Sequence, residues 1–313
     1  MLGTLALPLS ALELRDAVRE SRRFDPARLD RVLRVDPTRG CVEVQASASW
    51  SALAQKACAR AEAFVAQWRR SGEHIGEAVA TNAAGPDGHP IVRHVEGLTL
   101  VTAEGELRRV NRASHAELFA LAVGGQGIFG TPYSITLNLP SLVGAAEEPL
   151  PVVALELPQP EAQGRPLRLL VPPEALEAFV AECRTRCEAW RSPIVGAEVR
   201  RTLPESETTL RWATREFAEV TLLLPQRETI GASVRATQVR REMIDAAIAR
   251  GGSFPIASTP EATREQIEAC YPQLRRVLAE KRRLDPAEKL VNPWYGHHRN
   301  LLWREACQVR WGS

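Results

Sequence analysis

The chain has 313 residues, more than one ordinary core needs, so its length predicts two domains. Its 40 Lys and Arg against 38 Asp and Glu leave a formal charge of +2, and the basic residues are scattered rather than massed in a stripe, which disfavours nucleic-acid partners. No run approaches the ~20 apolar residues of a bilayer span, the N-terminus has no basic stretch ahead of an apolar one, and six cysteines without C-x-x-C spacing point to a reducing cytoplasm and to no metal site.

In chain order, Ser10 and Glu13 have capping-box spacing and predict a helix over 11–22. Valine-bearing runs at 31–35 and 41–46 flank Asp36-Pro37-Thr38-Arg39-Gly40, whose turn chemistry predicts a hairpin. Leu53, Ala57, Ala61, Phe64 and Val65 fall at helical spacing and predict one helix over 50–68. That helix leads into a glycine-bearing segment, residues 71–88. A second hairpin is predicted over 95–101 and 107–110. Ser114 and Glu117 predict a capped helix that ends at a second glycine segment, Gly124-Gly125-Gln126-Gly127-Ile128-Phe129-Gly130, and alternation over 133–139 predicts a strand. Residues 140–152, with three prolines, read as a linker.

Beyond it, strands at 166–171, 194–202, 217–224 and 253–258 and helices at 173–189 and 234–250 follow the order of a split, ferredoxin-like sandwich, with an additional strand at 151–157. Cys183 and Cys187, four apart on the first of these helices, share one face and read as thiols without a metal. A helix over 262–282, a stop at Asp285-Pro286 and an aromatic tail follow.

Closely spaced glycines let backbone N–H groups converge without Cβ obstruction, so two such segments suggest one ligand bearing a phosphate or pyrophosphate. The strand, glycine turn and helix of a nicotinamide-binding unit do not occur in that order here. Neither a Walker A motif nor a G-x-S-x-G elbow is present in the sequence.

The two glycine segments and the elements between them, with Gly251-Gly252-Ser253-Phe254, Ala262-Thr263-Arg264-Glu265-Gln266, Tyr271-Pro272, Lys281-Arg282-Arg283-Leu284-Asp285-Pro286 and Asn292-Pro293-Trp294-Tyr295, resemble the vanillyl-alcohol oxidase and p-cresol methylhydroxylase superfamily. The C-terminal signature looks like its aldonolactone and alditol oxidase branch. The resemblance implies an α+β fold. A two-subdomain FAD-binding domain would occupy 1–142, a ferredoxin-like, antiparallel-sheet cap or substrate domain 150–260, and a C-terminal helix and tail at 261–313 would pack back on the FAD domain. It also implies FAD contacts from Gly76, Ala78, Thr81, Asn82, Gly85 and Gly88 in the first segment and Gly125, Gly127, Ile128 and Gly130 in the second. Tyr295 is placed as a substrate-side donor, with packing as the alternative. His297, in the His297-His298 pair, is placed as an acid or base near the flavin, with an exposed tail pair as the alternative.

The chain departs from that pattern in several places. Between the first helix and the 31–46 hairpin too few residues remain for a glycine- and His-bearing pyrophosphate loop, because an extended chain spans at most ~3.6 Å per residue. The first subdomain is therefore shortened, and FAD, if retained, is non-covalent. Glu77 follows Gly76 where a second glycine is expected, which sets a carboxylate near the pyrophosphate; Ala84 replaces a His, Pro132 a β-former, and Ala257, Ser258 and Thr259 a cation. Two functions follow. One is an FAD-dependent oxidoreductase that takes a hydride from a C–H next to a hydroxyl or amine of a small-molecule substrate. The other is a catalytically degenerate, flavin-free relative that serves as a ligand-binding or partner subunit. Lost strands leave a sheet edge that a homodimer could cover.

Overall fold

The computed structural model describes residues 5–154, 164–192, 194–225 and 230–303. It is a mixed α+β chain in two compact units, each built on an antiparallel sheet. The first unit holds the chain up to Pro149 together with Glu205–Arg211 and Arg275–Asn300; the second holds Leu150–Pro204 and Trp212–Leu274. Among the described residues no helix is long and apolar enough to cross a membrane.

In the first unit, α1 (Ala11–Arg19) is capped by Ser10, whose side chain accepts from Glu13 N, while the Glu13 carboxylate accepts from Leu9 N. From there to β1 (Val32–Asp36) the chain forms only a 3-10 turn, Pro26–Arg28, and one bridge from Phe24 to Ala6, so no strand-loop-strand excursion intervenes. β1 and β2 (Cys41–Gln45) form the expected hairpin, as do β3 (Val95–Val101) and β4 (Leu107–Val110). With β5 (Thr131–Asn138) they give the strand order β1-β2-β5-β3-β4.

The helix expected over 50–68 is two helices, α2 (Trp50–Ala57) and α3 (Ala61–Trp68). Breaking at residues 58–60 lets Trp50 stack on Trp68 at 4.7 Å, with Phe64 6.2 Å from Trp50. Both indoles are buried against the valine and leucine face of the sheet, and their N–H groups donate to Gly72 O and Leu142 O. Each such buried side chain contributes about 2 kcal/mol of apolar transfer. The supposed linker is also corrected, because α6 (Leu139–Glu147) occupies it. Asn138 caps this helix by accepting from Ser141 N, and Pro140 sits in the first turn, where no amide is required. Likewise α5 (Ala116–Ala122) does not use Ser114 as its cap. Asn111 Oδ1 takes the amides of Ala113 and Ser114, and His115 enters the helix from a left-handed conformation.

In the second unit, β6 (Val152–Ala154), β7 (Gly164–Val171), β8 (Gly196–Thr202) and β9 (Phe217–Pro225) lie in the order β6-β8-β9-β7. Helices α7 (Leu176–Ala189) and α8 (Ile230–Ile248) pack on each other, and α8 packs on β7. Cys183 and Cys187 are both buried on α7, where burial pushes their thiols up, that of Cys187 to about 11. The strand expected over 253–258 is not formed. Ser253 exchanges two backbone hydrogen bonds with Leu170 beside β7, and Pro255, which has no amide to donate, ends the pairing. Part of the strand expected at 151–157 lies outside the described residues.

The helix expected over 262–282 divides into α9 (Arg264–Cys270) and α10 (Leu274–Leu284). Thr263 and Gln266 form a reciprocal capping box on α9. Tyr271, at the break, donates its hydroxyl to Phe254 O and accepts from Ile256 N, which explains the Tyr271-Pro272 pair as a structural stop. The last described element is α11 (Pro293–Trp303).

Candidate functional site

Residues 71–88 are not an open loop. Their centre is a helix, α4 (Ile75–Thr81), closed by Asn82 in the left-handed conformation at φ 49°. Such a C-cap suits Asn better than most residues with a Cβ. Gly76 lies inside the first turn because a Cβ there would stand 2.4 Å from Ala46 O. Ala78 is part of the core, and the Thr81 hydroxyl donates back to Glu77 O at 3.0 Å. Gly85 and Gly88 shape a tight turn, with Gly85 N donating to His89 O and Gly88 N to Gly85 O. In the structure these residues make local packing and turn-closing contacts.

The second segment is folded against the end of the first. Gly124 N donates to Val79 O and Gln126 N to Ala80 O, both at 2.9 Å, and the Gln126 side-chain amide donates to Ala80 O and Gly124 O. Gly125 must be glycine, since a Cβ would be 1.9 Å from Leu121 O. Its amide bonds Ala122 O, and that of Ile128 bonds Gly125 O. Gly130, at φ 149°, lies against Leu100. Gly127 differs from all of these. It adopts φ 73°, a Cβ there would meet nothing within 4 Å, and its amide has no hydrogen-bond partner among the described residues.

The two glycine segments therefore meet at one corner, formed by the end of α4, Asn82 and residues 124–127. Asn82 is fully buried there. Its Oδ1 accepts from Val92 N at 3.1 Å, and its Nδ2 donates to Glu205 Oε1 at 3.4 Å. The Arg112 guanidinium lies over Phe119 of α5, 5.4 Å from the ring centroid. It bonds Val92 O, Val95 O and both carboxylate oxygens of Glu207. The carboxylate expected in the corner, that of Glu77, instead folds back to accept from Glu73 N. Glu205, more than a hundred residues away in sequence, was not singled out, and no local pattern marks it.

Beyond the second segment, Ile128 and Phe129 line a cavity of about 90 Å³ with Arg108, Leu284, Asp285 and Leu290. Pockets for drug-sized ligands run to roughly 300–1,000 Å³, so this void is too small for a dinucleotide. Its rim is held by Asp285, which pairs with buried Lys281 and accepts from Lys289 N and Leu290 N. Burial alone raises a carboxyl, but the lysine and two amides outweigh it and hold Asp285 below its ordinary range.

The tail signature serves this part of the unit. Asn292 Nδ2 donates to Gln126 O at 2.7 Å while its Oδ1 caps α11 at Tyr295 N, so it ties the helix to the second glycine segment. Tyr295 is buried and donates its hydroxyl to Glu288 at 2.8 Å; Lys281 and Arg299 lie over its ring. Burial, then the neighbouring Glu288 carboxylate, hold that hydroxyl protonated above its usual range. His297 is exposed. Its neighbour His298 is buried, and its Nδ1 donates to Trp294 O at 2.8 Å, since a carbonyl can only accept. Among buried histidines, the Ser141–His94–Asp87 chain also merits mention: Nδ1 of His94 lies 2.6 Å from Ser141 Oγ and Nε2 lies 3.6 Å from Asp87. The Ser141 amide is already taken by Asn138 and residue 140 is proline, so neither position offers an amide to an oxyanion.

Tested against a flavin dinucleotide, the corner fits in two respects. Gly127 offers an unobstructed amide, and Asn82 and Arg112 bring side-chain donors suited to phosphate oxygens. The amides of Gly76, Asn82, Gly85, Gly88, Gly124, Gly125, Gln126 and Ile128 are committed to protein carbonyls.

No curated protein matches the sequence. Residues 13–111, from α1 through β4 and including the whole first glycine segment, match the family model described as an FAD binding domain, which indicates FAD binding and supports a place among the FAD-binding oxidoreductases.

Proposed function

We propose that this chain is an FAD-dependent oxidoreductase of reduced architecture, with the dinucleotide's phosphates held at the corner between Asn82 and Gly127. The observation that carries this reading is the meeting of the two glycine segments within a unit whose N-terminal part matches an FAD binding domain. Bound flavin would supply a hydride acceptor for a C–H next to a hydroxyl or amine. The protein's part is placement: Gly127 N, Asn82 Nδ2 and the Arg112 guanidinium orient the anionic end, and Asn292 fixes the segment that presents Gly127. In this reading the substrate is a small molecule of the aldonolactone or alditol type. The exposed β1 edge, with Leu33 partly uncovered, is the surface a second copy pairs with. The free thiols accord with a cytoplasmic setting.

A second reading, a flavin-free relative, is favoured by one observation, the carboxylate of Glu205 on Asn82. The visible absorption spectrum after incubation with excess FAD and desalting separates the two. Retained flavin absorbance supports the oxidoreductase; a colourless protein leaves the flavin-free scaffold.

A further inference from the structure

Residues 205–211 form an excursion of the β8–β9 connection that groups with the first unit. It is anchored there by buried Thr208 and Leu210 and by Thr209 N, which donates to Ala120 O at 2.8 Å. Onto the corner it delivers two carboxylates. Glu205 meets the buried Asn82 amide, and Glu207 lies across the Arg112 guanidinium, with Arg112 Nη2 3.2 Å from Glu207 Oε1. The Glu205 carboxylate is also held by the Thr208 hydroxyl and by the amides of Glu207 and Thr208, at 2.6 and 2.9 Å. An Asn amide and an Arg fork, both bonded to the backbone of Val92 and each facing a carboxylate, have the donor chemistry of a phosphate-binding pair.

We propose that the Glu205 and Glu207 side chains are an internal latch: they occupy the anion positions of Asn82 and Arg112, and a phosphate-bearing ligand binds only by displacing them. The inference rests on the corner being the flavin's phosphate site, and extends it by naming what competes for that site. The side chains, not the backbone, give way, because the anchors Thr208 and Leu210 are buried. Glu207 has about a third of its side chain exposed, and Glu205 is half-buried. Apparent affinity is reduced by the fraction of molecules in the competent state, so a latch closed in about nine molecules of ten weakens binding about tenfold.

The test compares wild type with Glu205→Gln/Glu207→Gln, which keeps the side-chain shape and removes both charges. Binding of inorganic pyrophosphate is measured by calorimetry and of FAD by fluorescence quenching, with thermal unfolding as a check on folding. Should the double variant misfold, Glu207→Gln alone, at the more exposed pair, serves in its place. The latch predicts at least about tenfold tighter pyrophosphate and FAD binding in the variant. Equal FAD and pyrophosphate affinity in both proteins overturns the latch and leaves the flavin reading standing. Tighter pyrophosphate with no FAD binding in either protein sustains the latch and sinks the flavin reading. Failure of the folded variant to bind either ligand overturns both.

Discussion

His298 gives the most quantitative consequence of this structure. Its ring is almost wholly buried, its centroid 4.3 Å from that of Trp294 and tilted 32° to it, with Nδ1–H committed to the Trp294 carbonyl and Nε2 without a partner among the described residues. Burial pushes the imidazole down from 6.5 to about 4, only partly opposed by the carbonyl, and His297 beside it pushes the same way. A histidine whose folded pKa is depressed favours folding while both states are neutral, above its unfolded pKa. That contribution is lost as pH falls from 6.5 towards about 4, because the unfolded chain binds the proton first. At ~1.4 kcal/mol per pH unit the whole window is worth about 3 kcal/mol, of which about 2 is gone by about pH 5. The perturbation is His298→Phe, which keeps the aromatic contact and removes the titration. Urea unfolding of both proteins at about pH 7.5 and about pH 5 should show wild type losing about 2 kcal/mol more than the variant over that interval. Equal losses in the two proteins would falsify the claim that His298 is buried neutral.

Gly125→Ala should destabilise the free protein by about 2–3 kcal/mol, read from chemical denaturation without ligand, because its Cβ would strike the Leu121 carbonyl and not a cofactor. Lys281→Met removes the cation beside buried Asp285 and should cost about 3 kcal/mol; a neutral outcome would show that the two amides at Asp285 suffice without the lysine. Tyr295→Phe should cost about 1 kcal/mol in unfolding for the lost Glu288 hydrogen bond and leave FAD affinity unchanged, whereas a flavin-side role for the hydroxyl predicts altered flavin binding or spectrum.

The two hairpins of the first unit were readable in the sequence because a hairpin rests on local alternation and turn chemistry. The Asp36-Pro37-Thr38-Arg39-Gly40 turn and the Ala103-Glu104-Gly105 turn both set hairpins where the pattern placed them. Helix ends were less legible. Residues 50–68 contain no glycine or proline, and the break at 58–60 comes from stacking Trp50 on Trp68, a tertiary effect that periodicity does not carry. Residues 140–152 looked like a linker through their prolines, yet Asn138 and Pro140 are a helix start when read by position. The helix inside the first glycine segment was hidden for a related reason. Gly76 answers to the Ala46 carbonyl and Asn82 to a left-handed helix end, and both demands arise from packing. Glu205 and Arg112 were out of reach, since only the fold brings the β8–β9 excursion to α4 and α5.

The central claim is that FAD docks where the two glycine segments meet. Amide hydrogen exchange with and without saturating FAD addresses it most directly. The Gly127 amide, without a hydrogen-bond partner among the described residues, should exchange fast and become protected with FAD, together with Gly130 and the Arg112 region, while the core amides of α4 change little. Protection elsewhere with no change at 124–130, or no change anywhere at saturating FAD, would contradict the account.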